Sequence, residues 1–168
     1  MNTEIRTAEI HRKTNETEIF LNLELDGTGS HQIDIEVPFL SHMLALFTNH
    51  SLCNLRVWAR GDIQIDDHHT VEDIGICLGQ AIKESLGDKR GIKRYGSALI
   101  PMDEALAQVV VDLSGRSYLD FNVNIPTETA GNFATELVEE FFRAVVNHAQ
   151  MTAHIDLIKG QNTHHIIE

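Results

Sequence analysis

Cysteine is almost missing from this chain: Cys53 and Cys77 are the only two in 168 residues, too few for a disulfide framework. Long apolar runs are missing too. None approaches the roughly 20 residues that span a bilayer, and the opening MNTEIRTAEI lacks the basic region and apolar core of a secretory signal. No Pro/Ser/Gly-rich linker or low-complexity block divides the chain. Positive charge is scarce: 13 Lys and Arg stand against 25 Asp and Glu, and the net charge of −12 disfavours a nucleic-acid partner. These absences exclude a disulfide scaffold and a helical membrane protein, and disfavour a phosphate-backbone binder. They predict a soluble protein of the reducing cytoplasm, and 168 residues suit one domain with a sizeable core.

Histidine, by contrast, is abundant. Ten occur, and four of them form adjacent pairs in DDHHTVED (residues 66–73) and THHIIE (163–168), so the pattern HHxxE appears twice, 96 residues apart. A lone histidine is most often a surface or satisfied core residue. Pairs at a fixed spacing from a carboxylate call for a stronger explanation.

Hydrophobic periodicity supplies the context. TEIFLNLEL (17–25) alternates Ile19, Leu21, Leu23 and Leu25 with polar residues, predicting a strand that ends in the turn DGTG. HQIDIEV (31–37) alternates again and is expected to be its hairpin mate. FLSHMLALFTNHS, after Pro38, has helical spacing; LRVWARGDIQI (55–65) returns to alternation; TVEDIGICLGQAIKESLG is expected to be a helix from Thr70 to a terminal Gly87. The second half repeats the order, with strands ALAQVVVDLSG and SYLDFNVNI, helix ATELVEEFFRAVVNHA, strand TAHIDLIKG and a helix opening at THHIIE. The turn glycines 27 and 115 are 88 residues apart, and the helices near 42 and 140 are 98 apart. The expected architecture is α+β: one domain, 1–168, of two duplicated, pseudo-symmetric half-domains. Each is a mainly antiparallel sheet with two helices on one face, repeat 1 covering about residues 1–92 and repeat 2 about 93–168. By this symmetry a further helix, on the order of 20 residues with its connection, should follow HHIIE, so the chain is expected to be truncated there.

The spacing has chemical content. Residues i and i+4 share a helix face, so His68 with Glu72, and His164 with Glu168, can each offer an imidazole and a carboxylate to one cation. His69 and His165 point about 100° away and are expected to reach the other repeat's metal. Symmetry nominates His42 and Glu140 as further ligands. The predicted sets are His68, Glu72, His165 and Glu140 for one metal, and His69, His164, Glu168 and His42 for the other. Mixed imidazole and carboxylate donors suit Mn²⁺, Fe²⁺, Co²⁺ or Zn²⁺ better than Mg²⁺ or Ca²⁺. Asp67 is the expected hydrogen-bond acceptor behind a ligand imidazole.

LDGTG, FLSHML, DDHHTVED, GIKRYG, MDEAL, DLSGR and THHIIE, in this order along the chain, resemble the imidazoleglycerol-phosphate dehydratases of histidine biosynthesis over nearly the whole chain. The resemblance implies a sandwich of two half-domains, assembled into a 24-subunit homo-oligomer with sites between neighbours. It implies a carbon–oxygen lyase that removes water from D-erythro-1-(imidazol-4-yl)glycerol 3-phosphate, giving 3-(imidazol-4-yl)-2-oxopropyl phosphate. Two Mn²⁺ ions would hold the substrate's imidazole as imidazolate, whose electrons expel the hydroxyl. By the same resemblance, Glu16 in TNETEI does acid/base work beside the substrate, and Arg94 and Arg116 contact its phosphate. His42 also faces substrate, and His50, eight residues on, is a candidate for lining the pocket. Two departures stand out: many relatives carry histidine where this chain has Glu140, and relatives have a C-terminal helix that adds basic phosphate contacts. The alternatives that the residues leave open are a two-metal phosphoester hydrolase, revealed by phosphate release, and a non-catalytic metal-binding oligomer, in which Glu16→Gln would change nothing.

Overall fold

The computed structural model of the protein describes residues 5–168. Its first sheet is built from β1 (Thr7–Lys13), β2 (Thr17–Glu24), β3 (His31–Asp34) and β4 (Asn54–Gly61), in the order β1-β2-β4-β3. Helix α1 (Pro38–Ser51) joins β3 to β4, and α2 (His68–Leu86) follows β4. The second sheet comprises β5 (Tyr95–Met102), β6 (Ala105–Asp112), β7 (Tyr118–Asn122) and β10 (Thr152–Lys159), in the order β5-β6-β10-β7. A small hairpin, β8 (Thr129–Ala130) with β9 (Phe133–Ala134), precedes α3 (Leu137–Ala149), and α4 (Thr163–Ile167) follows β10. Substituting β5 for β1, β6 for β2, β7 for β3 and β10 for β4 converts one strand order into the other. The duplicated α+β architecture is therefore present in the sheets themselves.

Three expectations are corrected. HQIDIEV is not the hairpin mate of β2: β3 runs parallel to β4, with His31 opposite Leu55. The cause lies in the turn between them, where Asn54 Oδ1 accepts the N–H groups of Thr28 (2.9 Å) and Ser30 (3.0 Å) and pins the turn to the start of β4. β4 itself occupies the edge of β2 that a hairpin would need, and α1 makes the crossover that parallel strands require. The mate of β2 on its other edge is β1, antiparallel, with Ile10 opposite Leu21. The strand expected over 55–65 stops at Gly61, and α2 begins at His68 rather than Thr70 because Asp66 Oδ1 accepts the His68 N–H at 2.9 Å.

α2 is the central element. One face covers the inner side chains of β1 and β2, including Ile10, Ile19, Leu21 and Leu23, which are all buried. Its other face meets α3 closely enough to require glycine: a Cβ on Gly79 would lie 2.5 Å from the Val145 carbonyl oxygen, and one on Gly75 2.9 Å from Ala144 Cβ. Cys77 is fully buried in this layer, and burial pushes its thiol up to about 12, so it remains protonated and unreactive. No helix is long and apolar enough to cross a membrane among the described residues.

Candidate metal centre

The C-terminal HHxxE is held by its own cap. Asn162 Oδ1 accepts the N–H groups of His164 (2.9 Å) and His165 (3.3 Å), which starts α4 just after β10 and fixes the backbone of both histidines. Gly160 permits the approach, since a Cβ there would meet Ile166 Cγ1 at 2.8 Å. In this turn His164 Nε2 lies 3.0 Å from Glu168 Oε2, and His42 Nε2, from α1, lies 3.7 Å from the same oxygen. His42, His164 and Glu168 thus each offer a ligand atom within 4.8 Å of the others, the one such group of three among the described residues. Phe39 packs edge-on against the His164 ring at 5.6 Å and limits its rotation.

Of the expected partner set, His68 and Glu72 come together, with Nε2 and Oε2 3.8 Å apart on the first turns of α2. Glu140 lies half-buried in the first turn of α3, without closing on that pair to the distance of the first cluster. His69 and His165 turn elsewhere. His69 Nδ1 lies 3.0 Å from Asp62 Oδ2, and His165 Nδ1 lies 2.8 Å from Glu104 Oε2. With Nδ1–H donating to a carboxylate, each ring keeps its Nε2 lone pair for a metal. The hydrogen bond to Asp62 raises the pKa of His69, and that to Glu104 raises the pKa of His165. Glu104 in turn is held down to about 2 by His165 and by the N–H groups of Asn162 (2.7 Å) and Gln161 (3.2 Å).

Asp62 and Glu104 were missed in the sequence. Glu104 had a signal: it follows Glu16 by 88 residues, the offset of the turn glycines. Asp62 had none, since its reach to His69 depends on the turn in which Ile65 N–H donates to the Asp62 carbonyl. The acceptor behind a histidine is therefore Asp62 rather than Asp67. Asp67 sits at the α2 N-cap without a side-chain capping bond, its carboxyl raised by burial and by Asp66.

Glu16 is exposed at the β1–β2 turn, where its charge helps to raise His69. His50 lies at the far end of α1, roughly 12 Å from His42 at 1.5 Å per residue, and is not brought to the cluster. Arg94 donates to both oxygens of Asp112 (2.6 and 3.0 Å), and Arg116 approaches the same carboxylate at 4.0 Å. The two arginines therefore gather where β6 ends. The histidines of α4 lie where β6 begins, roughly 24 Å away at the rise of a strand.

The family description of imidazoleglycerol-phosphate dehydratase matches residues 35–168. The chain belongs to the imidazoleglycerol-phosphate dehydratase family. A member from Syntrophomonas wolfei is 68% identical over 163 residues, covering 97% of this chain and 83% of the relative. One from Geobacter sulfurreducens is 59% identical, covering 97% and 84%. The crystal structure of the Staphylococcus aureus dehydratase superposes with a TM-score of 0.87 at 50% identity, covering 96% of this chain and 89% of that one. The Pyrococcus furiosus dehydratase, in complex with (S)-C348, gives 0.82 at 35% identity, covering 94% and 84%. Dehydratases are hydro-lyases, so this is a family of enzymes, and its fold is the α+β architecture described above.

Proposed function

We propose that this chain removes water from D-erythro-1-(imidazol-4-yl)glycerol 3-phosphate in L-histidine biosynthesis, a cytoplasmic reaction, using two Mn²⁺ ions held by its histidines and carboxylates. The observation that carries the reading is the convergence of His42 from α1 with His164 and Glu168 from the α4 turn, two imidazoles and a carboxylate, on a space the size of one cation. This donor set fits a first-row divalent ion and lacks the oxygen-only character that Mg²⁺ or Ca²⁺ would favour. A bound metal supplies Lewis acidity to the substrate's imidazole.

The remaining work falls to the chain's own groups. Dehydration breaks a C–H and a C–O bond, so one group must take a proton from carbon and the departing hydroxyl must receive one. Glu16, an exposed carboxylate beside His69, is suited to move that proton. Asp62 and Glu104 hold His69 and His165 in the tautomer that keeps Nε2 available. Arg94 and Arg116 offer guanidinium forks to the phosphate, Arg94 by exchanging Asp112 for it.

The distance along β6 between these arginines and α4 supports sites completed by a neighbouring copy, in which one chain's arginines serve another's metals. His69 and His165, directed away from the cluster that each would complete, support the same sharing. A 24-subunit homo-oligomer is the assembly this reading expects. The test is a Mn²⁺-dependent assay for 3-(imidazol-4-yl)-2-oxopropyl phosphate, with assembly state measured on the same sample. Oxo-phosphate formed only with metal supports the proposal; metal-loaded, assembled protein that forms none sinks it, and inorganic phosphate released instead would mark a hydrolase.

A further inference from the structure

Glu16 stands on a turn, and turns are mobile unless something holds them. In this chain the support comes from a buried carboxylate that no step above uses. Asp73, 7% exposed on α2, accepts the Arg12 Nε–H at 2.9 Å from β1 and the Thr17 hydroxyl at 2.5 Å from β2. Since the single Thr17 hydroxyl proton goes to Asp73, the Thr17 oxygen is free to accept. The Thr14 hydroxyl lies 3.3 Å from it and is therefore the donor. Thr14 Oγ1 in turn accepts the backbone N–H groups of Glu16 (3.1 Å) and Thr17 (3.0 Å), and Thr14 N–H donates to the Thr17 carbonyl at 2.9 Å. An unbroken series of hydrogen bonds runs from Asp73 to the backbone of Glu16.

The same helix carries His68, His69 and Glu72 on its first turns, so Asp73 links the Glu16 turn to the element that bears the metal ligands. The junction is tight. Thr17 pairs with Gly61 across the sheet, and a Cβ on Gly61 would lie 2.1 Å from the Thr70 hydroxyl oxygen of α2. The fold alone does not require the clamp, because the second half does without it. At the 88-residue offset Arg12 becomes Ile100 and Thr17 becomes Ala105, while the counterpart of Glu16, Glu104, is held by backbone N–H groups of residues 161 and 162.

We propose that Asp73 is a positioning residue: with Arg12 and Thr17 it fixes the Glu16 carboxylate relative to the histidines of α2. This rests on the proposed dehydratase activity for its kinetic readout, and on geometry alone for a second one. Displacing a reacting group by about an ångström costs on the order of a hundredfold in rate. Asp73→Asn in the assembled, Mn²⁺-loaded enzyme should therefore lower kcat by tens to about a hundredfold, with KM and bound Mn²⁺ per chain unchanged. In a Glu16→Gln background the same substitution should have no further effect, since residues acting as a unit are non-additive. Should Asp73→Asn fail to fold, Thr17→Val is expected to show the same kcat loss and Thr17→Ser to restore it. Loss of Mn²⁺, or an equal kcat loss with and without Glu16, would overturn the proposal. Amide hydrogen exchange at residues 14–17 separates it from the dehydratase reading: exchange should quicken in Asp73→Asn or Thr17→Val whatever the enzyme turns over, and unchanged exchange overturns the clamp even if the activity stands.

Discussion

The two half-domains share a strand order but not a degree of burial. On β2 the inward residues Ile19, Leu21 and Leu23 are at most 1% exposed, whereas their counterparts Ala107, Val109 and Val111 on β6 are only partly covered, and Ile100 on β5 is 60% exposed. The sheets are alike; the helices are not. Among the described residues, α2 lies across β1 and β2, whereas α4 meets β6. Alternation along a strand thus decides which side chains share a face, and the covering helix decides what that face contributes to stability. The candidate metal cluster divides the other way: it lies at α4, in the less covered half, and draws His42 from the better covered one.

Breaking that shared cluster should have the largest effect. His42→Ala removes a proposed ligand, contributed by the first half to a cluster in the second, so Mn²⁺ bound per chain should fall and dehydration should be lost. The thermal unfolding midpoint of the metal-free protein should barely change, since His42 is half exposed. Metal analysis beside calorimetry checks this, and unchanged metal content would show that the halves do not share the site.

Next comes the difference in burial itself. Leu21→Ala should destabilise the chain by about 2–5 kcal/mol, the range for a fully buried leucine. Val109→Ala, at the matching position of β6, should cost about 1 kcal/mol or less, because its side chain is only partly removed from water. Urea unfolding of both variants measures the contrast directly. Equal losses would mean that the sheets are equally covered in solution.

A smaller effect is expected where each half sets a carboxylate behind one histidine of its pair. Glu104→Gln keeps the shape of the side chain but weakens the hydrogen bond that orients His165, so Mn²⁺ affinity should fall roughly 10- to 100-fold. Calorimetric titration with Mn²⁺ provides the number, and Asp62→Asn should do the same through His69.

The same contrast explains what was legible in the sequence. The duplication, the HHxxE pairs and the strands β2, β4, β6 and β10 stood out because their alternation is apolar on one side. β1 did not, since an arginine interrupts its inward face: Arg12 points toward α2 and is satisfied only by Asp73, 61 residues on. β5 was hidden by Pro101 and by its edge position, where Leu99 and Ile100 are both exposed. The direction of β3 depends on Asn54 holding a turn, a contact between residues 24 to 26 apart that no local pattern reveals. In the site, helical spacing found His164 with Glu168 and symmetry added His42. The carboxylates behind His69 and His165 required the folded turns.

The smallest expected effect is an acid-range difference between two arginine–aspartate pairs, one in each half. Arg6 donates to both oxygens of Asp26, and Arg94, 88 residues later, does the same to Asp112. Hydrogen bonding from Arg6 holds Asp26 down to about 2, against an ordinary 3.8, and Arg94 lowers Asp112. Because the folded value lies below the unfolded one, each pair's stabilisation is fully present above the unfolded pKa and fades as pH falls, for Asp26 through about 2. Both arginines are solvent-exposed, so high salt should weaken this contribution. They should part when substrate phosphate or inorganic phosphate is added. Arg94 is proposed to leave Asp112 for the phosphate, so the Asp112 carboxyl should titrate at a higher pH in the complex, while Asp26 stays where it was. Carboxyl carbon chemical shifts followed from pH 6 to 2, with and without phosphate, read each group separately, and a shift of Asp26 alone would place the anion on the wrong half.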